Sequence, residues 1–134
     1  GRLHEYSKLK IIETIKGHCT AEITVRQVAQ QKNGKYATIV TGQPRIEKGA
    51  EYLLFLMKKG DLYFILGMSQ GHYALIENKG KLLAVRNLYG VSLYDKQGKI
   101  TLPPESEAAI TTIEYSLLRQ KIMNILKTAE SGPQ

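Results

Sequence analysis

Residues 43–76 constrain the fold of this chain more than any other stretch. Within them, residues 52–57 form an unbroken apolar run that is too short for a globular helix and rich in aromatic and branched side chains. Such a run is typical of a strand covered on both faces, so we predict that it is the central strand. The Lys-Lys-Gly-Asp sequence at 58–61 predicts a hairpin loop, after which residues 62–66 return antiparallel to the first strand. A third strand is predicted at 72–77.

Alternating apolar and polar side chains predict further strands on both sides of this stretch. In residues 6–15, Leu9, Ile11 and Ile15 fall on one face, and the alternation at 21–26 is the clearest in the chain. These two segments predict a hairpin. Turn signals at 30–35, 78–80 and 95–98 separate shorter predicted strands at 36–40, 81–85, 91–94 and 99–102. Short strands at close spacing are typical of an all-β barrel or sandwich.

After a Pro-Pro pair at 103–104, the apolar period changes from that of a strand to that of a helix. Residues 111–114 fit a capping box, which marks a helix start. The apolar residues at helical spacing are Ile113, Leu117, Leu118, Ile122, Ile125 and Leu126. We therefore predict one amphipathic helix at about 111–127, which packs on the barrel or, as the alternative, against a partner. Residues 130–134 are expected to form a frayed tail.

Length and composition predict one domain over residues 1–129, because 134 residues with 43% hydrophobic content can bury a core. The chain has 19 Lys and Arg against 12 Asp and Glu, a net charge of +7. This charge permits binding to phosphate, anionic lipid or cell-wall polyanions. The basic residues are scattered along the chain, so they do not indicate which of these is the ligand. No stretch is apolar enough to span a membrane. The chain starts at Gly-Arg without Met, and we expect a shortened or processed product from which any signal peptide has been removed.

The sequence contains no pattern typical of an active site or a metal site. His4, His18 and His72 fall in three predicted elements, and none has metal-ligand spacing to another His or to Cys19. Cys19 follows His18, but neighbours on a strand point to opposite faces, which is a poor arrangement for an activated thiol. No glycine motif for nucleotide phosphates occurs. We therefore predict a protein that is not an enzyme, with no catalytic residue, metal or cofactor, and leave its ligand-binding residues unassigned.

The tyrosine content is compatible with a nucleic-acid ligand. The chain has 8 tyrosines and a positive charge, and oligonucleotide-binding barrels stack bases on exposed rings while basic side chains follow the backbone. The alternative is that Tyr52, Tyr63 and Tyr73 pack between strands, which is the commoner role of a tyrosine in a strand. We favour packing for these three rings.

Several segments together resemble a known family. They are Ile15-Lys16-Gly17, residues 23–27, residues 46–56 with the sequence IEKGAEYLLFL, residues 63–67 and residues 70–73. This order resembles domains of secreted proteins and lipoproteins of Gram-positive bacteria. Their arrangement is similar to the netrin-like and tissue-inhibitor-of-metalloproteinase barrels, which share the oligonucleotide/oligosaccharide-binding (OB) fold. The resemblance covers about residues 6–76 and implies a small antiparallel OB-like barrel.

The chain departs from this family at its N-terminus. Netrin-like relatives carry an additional strand and a cysteine there, and tissue inhibitors use that cysteine to chelate the metal of the protease. No such cysteine occurs before Tyr6, so metalloprotease inhibition cannot be transferred. The first barrel strand is either absent or supplied by another segment. The matched residues are structural, with Gly49 in a turn, and they imply no functional residue.

The sequence thus predicts a mainly β protein with an OB-like barrel and a C-terminal helix. The resemblance implies a non-catalytic binding or scaffold module that is extracellular or anchored at the cell surface, with a protein or a cell-envelope polymer as its partner. Recognition would use loops at the ends of the barrel and one sheet face. The alternative function is a single-stranded nucleic-acid-binding OB domain, and an unrecognised enzyme is a third.

Overall fold

In a computed structural model, the protein is mainly β with one C-terminal helix. The structure describes residues 4–28, 31–32, 35–36, 43–88, 93–94, 97–98, 100–101 and 109–130. The strands, in chain order, are β1 (His4–Lys10), β2 (Glu22–Val28), β3 (Gln31–Lys32), β4 (Lys35–Tyr36), β5 (Glu51–Leu54), β6 (Leu56–Lys59), β7 (Leu62–Ile65), β8 (His72–Asn78), β9 (Lys81–Asn87), β10 (Leu93–Tyr94), β11 (Ile100–Thr101) and β12 (Ile110–Glu114). The helix α1 spans Tyr115–Glu130, and a short 3-10 turn spans Met68–Gly71.

Two four-stranded sheets form the body of the protein. The first has the order β1-β2-β7-β6 and the second the order β12-β9-β8-β5. The hairpins predicted from turn signals are confirmed, because β1 pairs with β2, β6 with β7, and β8 with β9, all antiparallel. The short hairpin of β10 and β11 is also present. Among the strand pairs that the structure describes in these two sheets, one is parallel, and it joins β2 to β7 at Val25 and Tyr63.

The prediction of a central strand at 52–57 is wrong, because this run divides at Phe55 between the two sheets. Its first half is β5, the edge of the second sheet, and its second half is β6, the edge of the first. The amide of Phe55 donates to the Gly71 carbonyl at 2.9 Å, and its carbonyl accepts from the Leu66 amide at 2.9 Å. Phe55 is therefore a corner at which one extended segment passes from sheet to sheet. The apolar run serves two sheet edges, and Met57 remains 49% exposed.

Buried side chains come from both sheets. Ile23 and Val25 of β2 are buried, as are Tyr73 of β8 and Ala84 of β9. The Tyr73 ring lies 6.5 Å from the ring of Phe55, centroid to centroid. Packing at the corner thus connects the sheets where the backbone crosses between them.

The start of the helix also differs from the prediction. Residues 111–114 belong to β12, which pairs antiparallel with β9, and the helix begins at Tyr115. The run Ile-Thr-Thr-Ile at 110–113 contains only β-branched residues, which favour a strand when a neighbouring edge offers a ladder. This tertiary pairing outweighs the capping-box pattern. The predicted helix is confirmed from residue 115 to residue 130, and it contacts β9 and β12, but Leu117 and Ile125 of the predicted apolar stripe remain 54% and 66% exposed.

The first predicted strand is shorter than expected. β1 ends at Lys10, and the chain then forms an irregular loop to β2, with one bond from the Ile11 amide to the Ala21 carbonyl at 2.9 Å. Leu9, Ile11 and Ile15 are half-buried, so the predicted face persists into the loop, while Ile12, which lies off that face, is 79% exposed. The predicted strand at 36–40, apart from Tyr36, and the predicted tail beyond residue 130 lie outside the described residues.

Among the strands described, the two sheets are not closed into a barrel, and the OB-like barrel stays a prediction. In the part of the chain that the structure describes, no helix is long and apolar enough to cross a membrane.

Candidate functional site

A cleft of about 600 Å³ opens on the first sheet where β2 and β7 diverge. These parallel strands pair at one described position, Val25 with Tyr63, and the cleft lies beyond it toward the C-terminal ends of both strands. Its apolar floor includes Val28, Leu62 and Phe64. The site therefore arises from an incomplete strand pairing in the middle of a sheet.

One wall of the cleft is the segment Gln43–Pro44, which is joined to β2 through side-chain amides. The Gln43 side chain accepts from the Val28 amide at 3.3 Å and donates to the Val28 carbonyl at 2.8 Å. The Gln27 side chain donates to the Pro44 carbonyl at 2.8 Å. Side-chain hydrogen bonds of two glutamines thus replace the backbone hydrogen bonds that a neighbouring strand would make. They hold the wall in place and leave the cleft open.

The chain following this wall is held by two aromatic side chains of the second sheet. Nε2 of His72 lies 3.0 Å from the Arg45 carbonyl, and the Tyr52 hydroxyl accepts from the Glu47 amide at 2.8 Å. The two rings contact each other, with centroids 4.8 Å apart. Burial lowers the pKa of His72 below its usual value, partly offset by its bond to the Arg45 carbonyl. The neutral imidazole is therefore favoured in the folded protein.

The polar side chains of the cleft are cationic, imidazole or amide groups. Nη2 of Arg26 lies 2.8 Å from Nε2 and 3.2 Å from Nδ1 of His4, and the guanidinium can only donate in this contact. Lys59 lines the opposite side. No carboxylate lines the cleft among the residues that the structure describes. The cleft therefore combines positive charge with an apolar floor, which suits an anionic ligand that has apolar parts.

The histidines and the cysteine singled out in the sequence are not brought together. His4 lies in the cleft, His18 is exposed in the loop before β2, and His72 holds the 43–50 segment. Cys19 is an exposed free thiol. Among described residues, no group of three or more His, Cys, Asp or Glu side chains is arranged to hold a metal ion.

The tyrosines divide into packed and exposed rings. Tyr73 is buried, and Tyr52 and Tyr63 are half-buried, as the packing interpretation predicts. Tyr6 of β1 is 58% exposed on the same face as Arg26, its cross-strand partner. Sequence reasoning missed Tyr6 and Arg26, although the alternation of β1 and β2 places both on the polar face of the predicted hairpin. That shared face was the signal that could have found them.

No protein family, curated protein sequence or solved structure matches this chain.

Proposed function

We propose that this protein is a non-catalytic binding module whose cleft on the first sheet takes an anionic ligand. The observation that carries the proposal is the grouping of two cationic side chains, Arg26 and Lys59, around one apolar cleft with no carboxylate among its described lining residues. Cationic groups beside low-dielectric walls concentrate field lines and attract anions. A non-catalytic role accords with the described lining, in which His4 contacts Arg26 and no Ser, Thr, Cys, Asp or Glu is present for it to activate.

The proposal includes a netrin-like OB barrel that works outside the cytoplasm. Two features support the barrel: the resemblance of residues 6–76, and the corner at Phe55, through which the two sheets share one bent segment. A curled sheet of this kind is how small barrels begin to close. The extracytoplasmic setting rests on the resemblance to secreted proteins and lipoproteins. An acidic protein, a cell-envelope polyanion or a nucleic acid would each provide the required negative charge.

Binding of inorganic polyphosphate at increasing salt tests the module. We expect affinity that falls steeply as salt rises, because each neutralised phosphate releases counterions. Arg26→Gln and Lys59→Gln should each weaken binding by several-fold and reduce the salt slope. Lys121→Gln, which removes an exposed charge from the helix, is the matched control and should leave affinity within a factor of about two. Equal losses in all three variants would mean that net charge, rather than the cleft, attracts the anion.

A further inference from the structure

A row of four side chains crosses the exposed face of the first sheet, one from each strand. Tyr6 of β1 lies opposite Arg26 of β2. Val25 pairs in parallel with Tyr63, so Arg26 and Phe64 of β7 are the next residues of the two strands on the exposed face, where the cleft opens between them. Phe64 in turn lies opposite Met57 of β6. We call Tyr6, Arg26, Phe64 and Met57 the stacking row.

The stacking row contains three flat groups, the rings of Tyr6 and Phe64 and the guanidinium of Arg26. Tyr6 and Arg26 belong to paired strands about 4.8 Å apart, and Arg26 and Phe64 both line the open cleft between β2 and β7. Tyr6 is 58% exposed and Met57 is 49% exposed, and Phe64 lines the open cleft. Aromatic rings and arginine planes are the surfaces on which unpaired bases stack.

Lysines lie at both edges of the neighbouring row. Lys8 of β1 is opposite Thr24 of β2, and Lys59 of β6 is opposite Leu62 of β7. Neither lysine forms an ion pair within the described part of the chain. The strand register places Glu22 on this face as well, but at its far end, opposite Lys10. The stacking row is therefore flanked by positive charge and separated from the nearest acidic side chain of its face.

We propose that single-stranded nucleic acid is the ligand and that it binds across this face. Two or three bases stack on Tyr6, Arg26 and Phe64, while phosphates contact Lys8 and Lys59. This inference rests on the proposed anion-binding function and names its ligand class. Stacking requires unpaired bases, so a duplex is excluded from the row. A phosphate polymer without bases would use the charges alone and leave the aromatic rings without a role.

Fluorescence anisotropy with a labelled oligothymidine of about ten nucleotides, compared with polyphosphate as competitor, tests the proposal. We expect Tyr6→Leu to weaken oligothymidine binding about 10- to 100-fold, the usual effect of losing one stacking ring, and to leave polyphosphate binding unchanged. Tyr6 is exposed on an edge strand, so this variant should fold, which the thermal unfolding curve checks. Arg26→Lys keeps the charge but removes the plane, and should likewise weaken the oligonucleotide more than polyphosphate.

The outcomes separate the two proposals. If Tyr6→Leu and Arg26→Lys bind oligothymidine as the wild type does while Arg26→Gln and Lys59→Gln lose polyphosphate, the anion-binding function stands and the nucleic-acid inference fails. If Arg26→Gln and Lys59→Gln change neither ligand, the cleft is not the binding site and both proposals fail. A duplex of the same length that competes as well as the single strand would also overturn the inference.

Discussion

The guanidinium of Arg119 in α1 binds both carboxylate oxygens of Glu13, which lies in the loop after β1. Nε donates to Oε1 at 2.9 Å and Nη2 donates to Oε2 at 3.2 Å. The Tyr115 hydroxyl lies 3.4 Å from the same Oε1. This fork connects the loop between the first two strands of one sheet to the helix that packs on the other. Bidentate geometry of this kind gives orientation as well as attraction.

Removing the fork should reduce stability by a small, pH-dependent amount. The Arg119 hydrogen bond lowers the pKa of Glu13, so this carboxylate stabilises the fold above the ordinary value of 4.5, and the contribution is lost as pH falls through the lowered pKa. We expect Glu13→Gln to lose its destabilising effect in acid. A double-mutant cycle with Arg119→Gln, measured by urea unfolding, gives the coupling. Additive effects at neutral pH would show that the fork does not contribute to stability.

His72 should make the protein less stable as pH decreases. Its folded pKa is lowered by burial, so below the usual 6.5 the unfolded chain binds more protons than the folded one. Stability therefore falls as pH decreases from 6.5 toward the lowered folded pKa, and flattens below it. The charged side chains on the segment that His72 holds are Arg45, Glu47 and Lys48, and Tyr52 contacts the imidazole ring. We expect His72→Gln to remove most of this slope in denaturation curves, and an unchanged slope would assign it to other groups.

Gly71→Ala should disrupt the corner between the sheets. A Cβ atom there would lie 2.2 Å from the Leu66 carbonyl oxygen and 3.2 Å from the Phe55 carbonyl oxygen. Both are backbone atoms of the corner, so we expect a cost of about 3 kcal/mol or more in the free energy of unfolding. Gly80→Ala is the control, because it has open space around it and a positive φ of 79°, and should cost only about 1–2 kcal/mol. A cost at Gly71 no larger than that at Gly80 would show that the corner shifts to accept the added Cβ atom.

Val25→Ala should destabilise the protein, because Val25, which pairs with Tyr63, belongs to the buried core. Val25 is fully buried, and removal of its two methyl groups leaves a cavity, at a cost of about 2 kcal/mol. The same type of change at Ile12, which is 79% exposed, should cost under about 0.5 kcal/mol. Thermal or urea unfolding of the two variants measures the difference. A cost at Val25 no larger than at Ile12 would contradict its place in the core.

Turn residues and alternation predicted which strands form hairpins better than they predicted where each strand lies in its sheet. The turns at 60–61 and 79–80 lie within the segments where Gly and charged residues indicate them, because turn chemistry depends on a few neighbouring residues. The division of residues 52–57 at Phe55 was not predictable, because its cause is a pair of hydrogen bonds to Leu66 and Gly71, more than ten residues away. β12 was missed for the same reason, since its strand conformation depends on the edge of β9.

The candidate site was only partly accessible to sequence reasoning. Positive charge and tyrosines indicated an anionic ligand or nucleic acid, but the sequence could not select which rings are exposed. Tyr6 became a candidate once the register placed it beside Arg26, and Phe64 once the parallel contact of Val25 with Tyr63 set β7 against β2. Parallel pairing has no turn signal, because the two strands are far apart in sequence.

That parallel contact also bears on how the sheet opens. One hairpin, β1 with β2, meets another, β6 with β7, and a single described ladder position links them, so this seam is the weakest line of the first sheet. Arg26 belongs to one hairpin, and Phe64 and Lys59 belong to the other. A ligand that contacts both hairpins binds only when they are together, so by mass action it makes their separation less frequent. The amides between β2 and β7 are then protected from exchange with solvent.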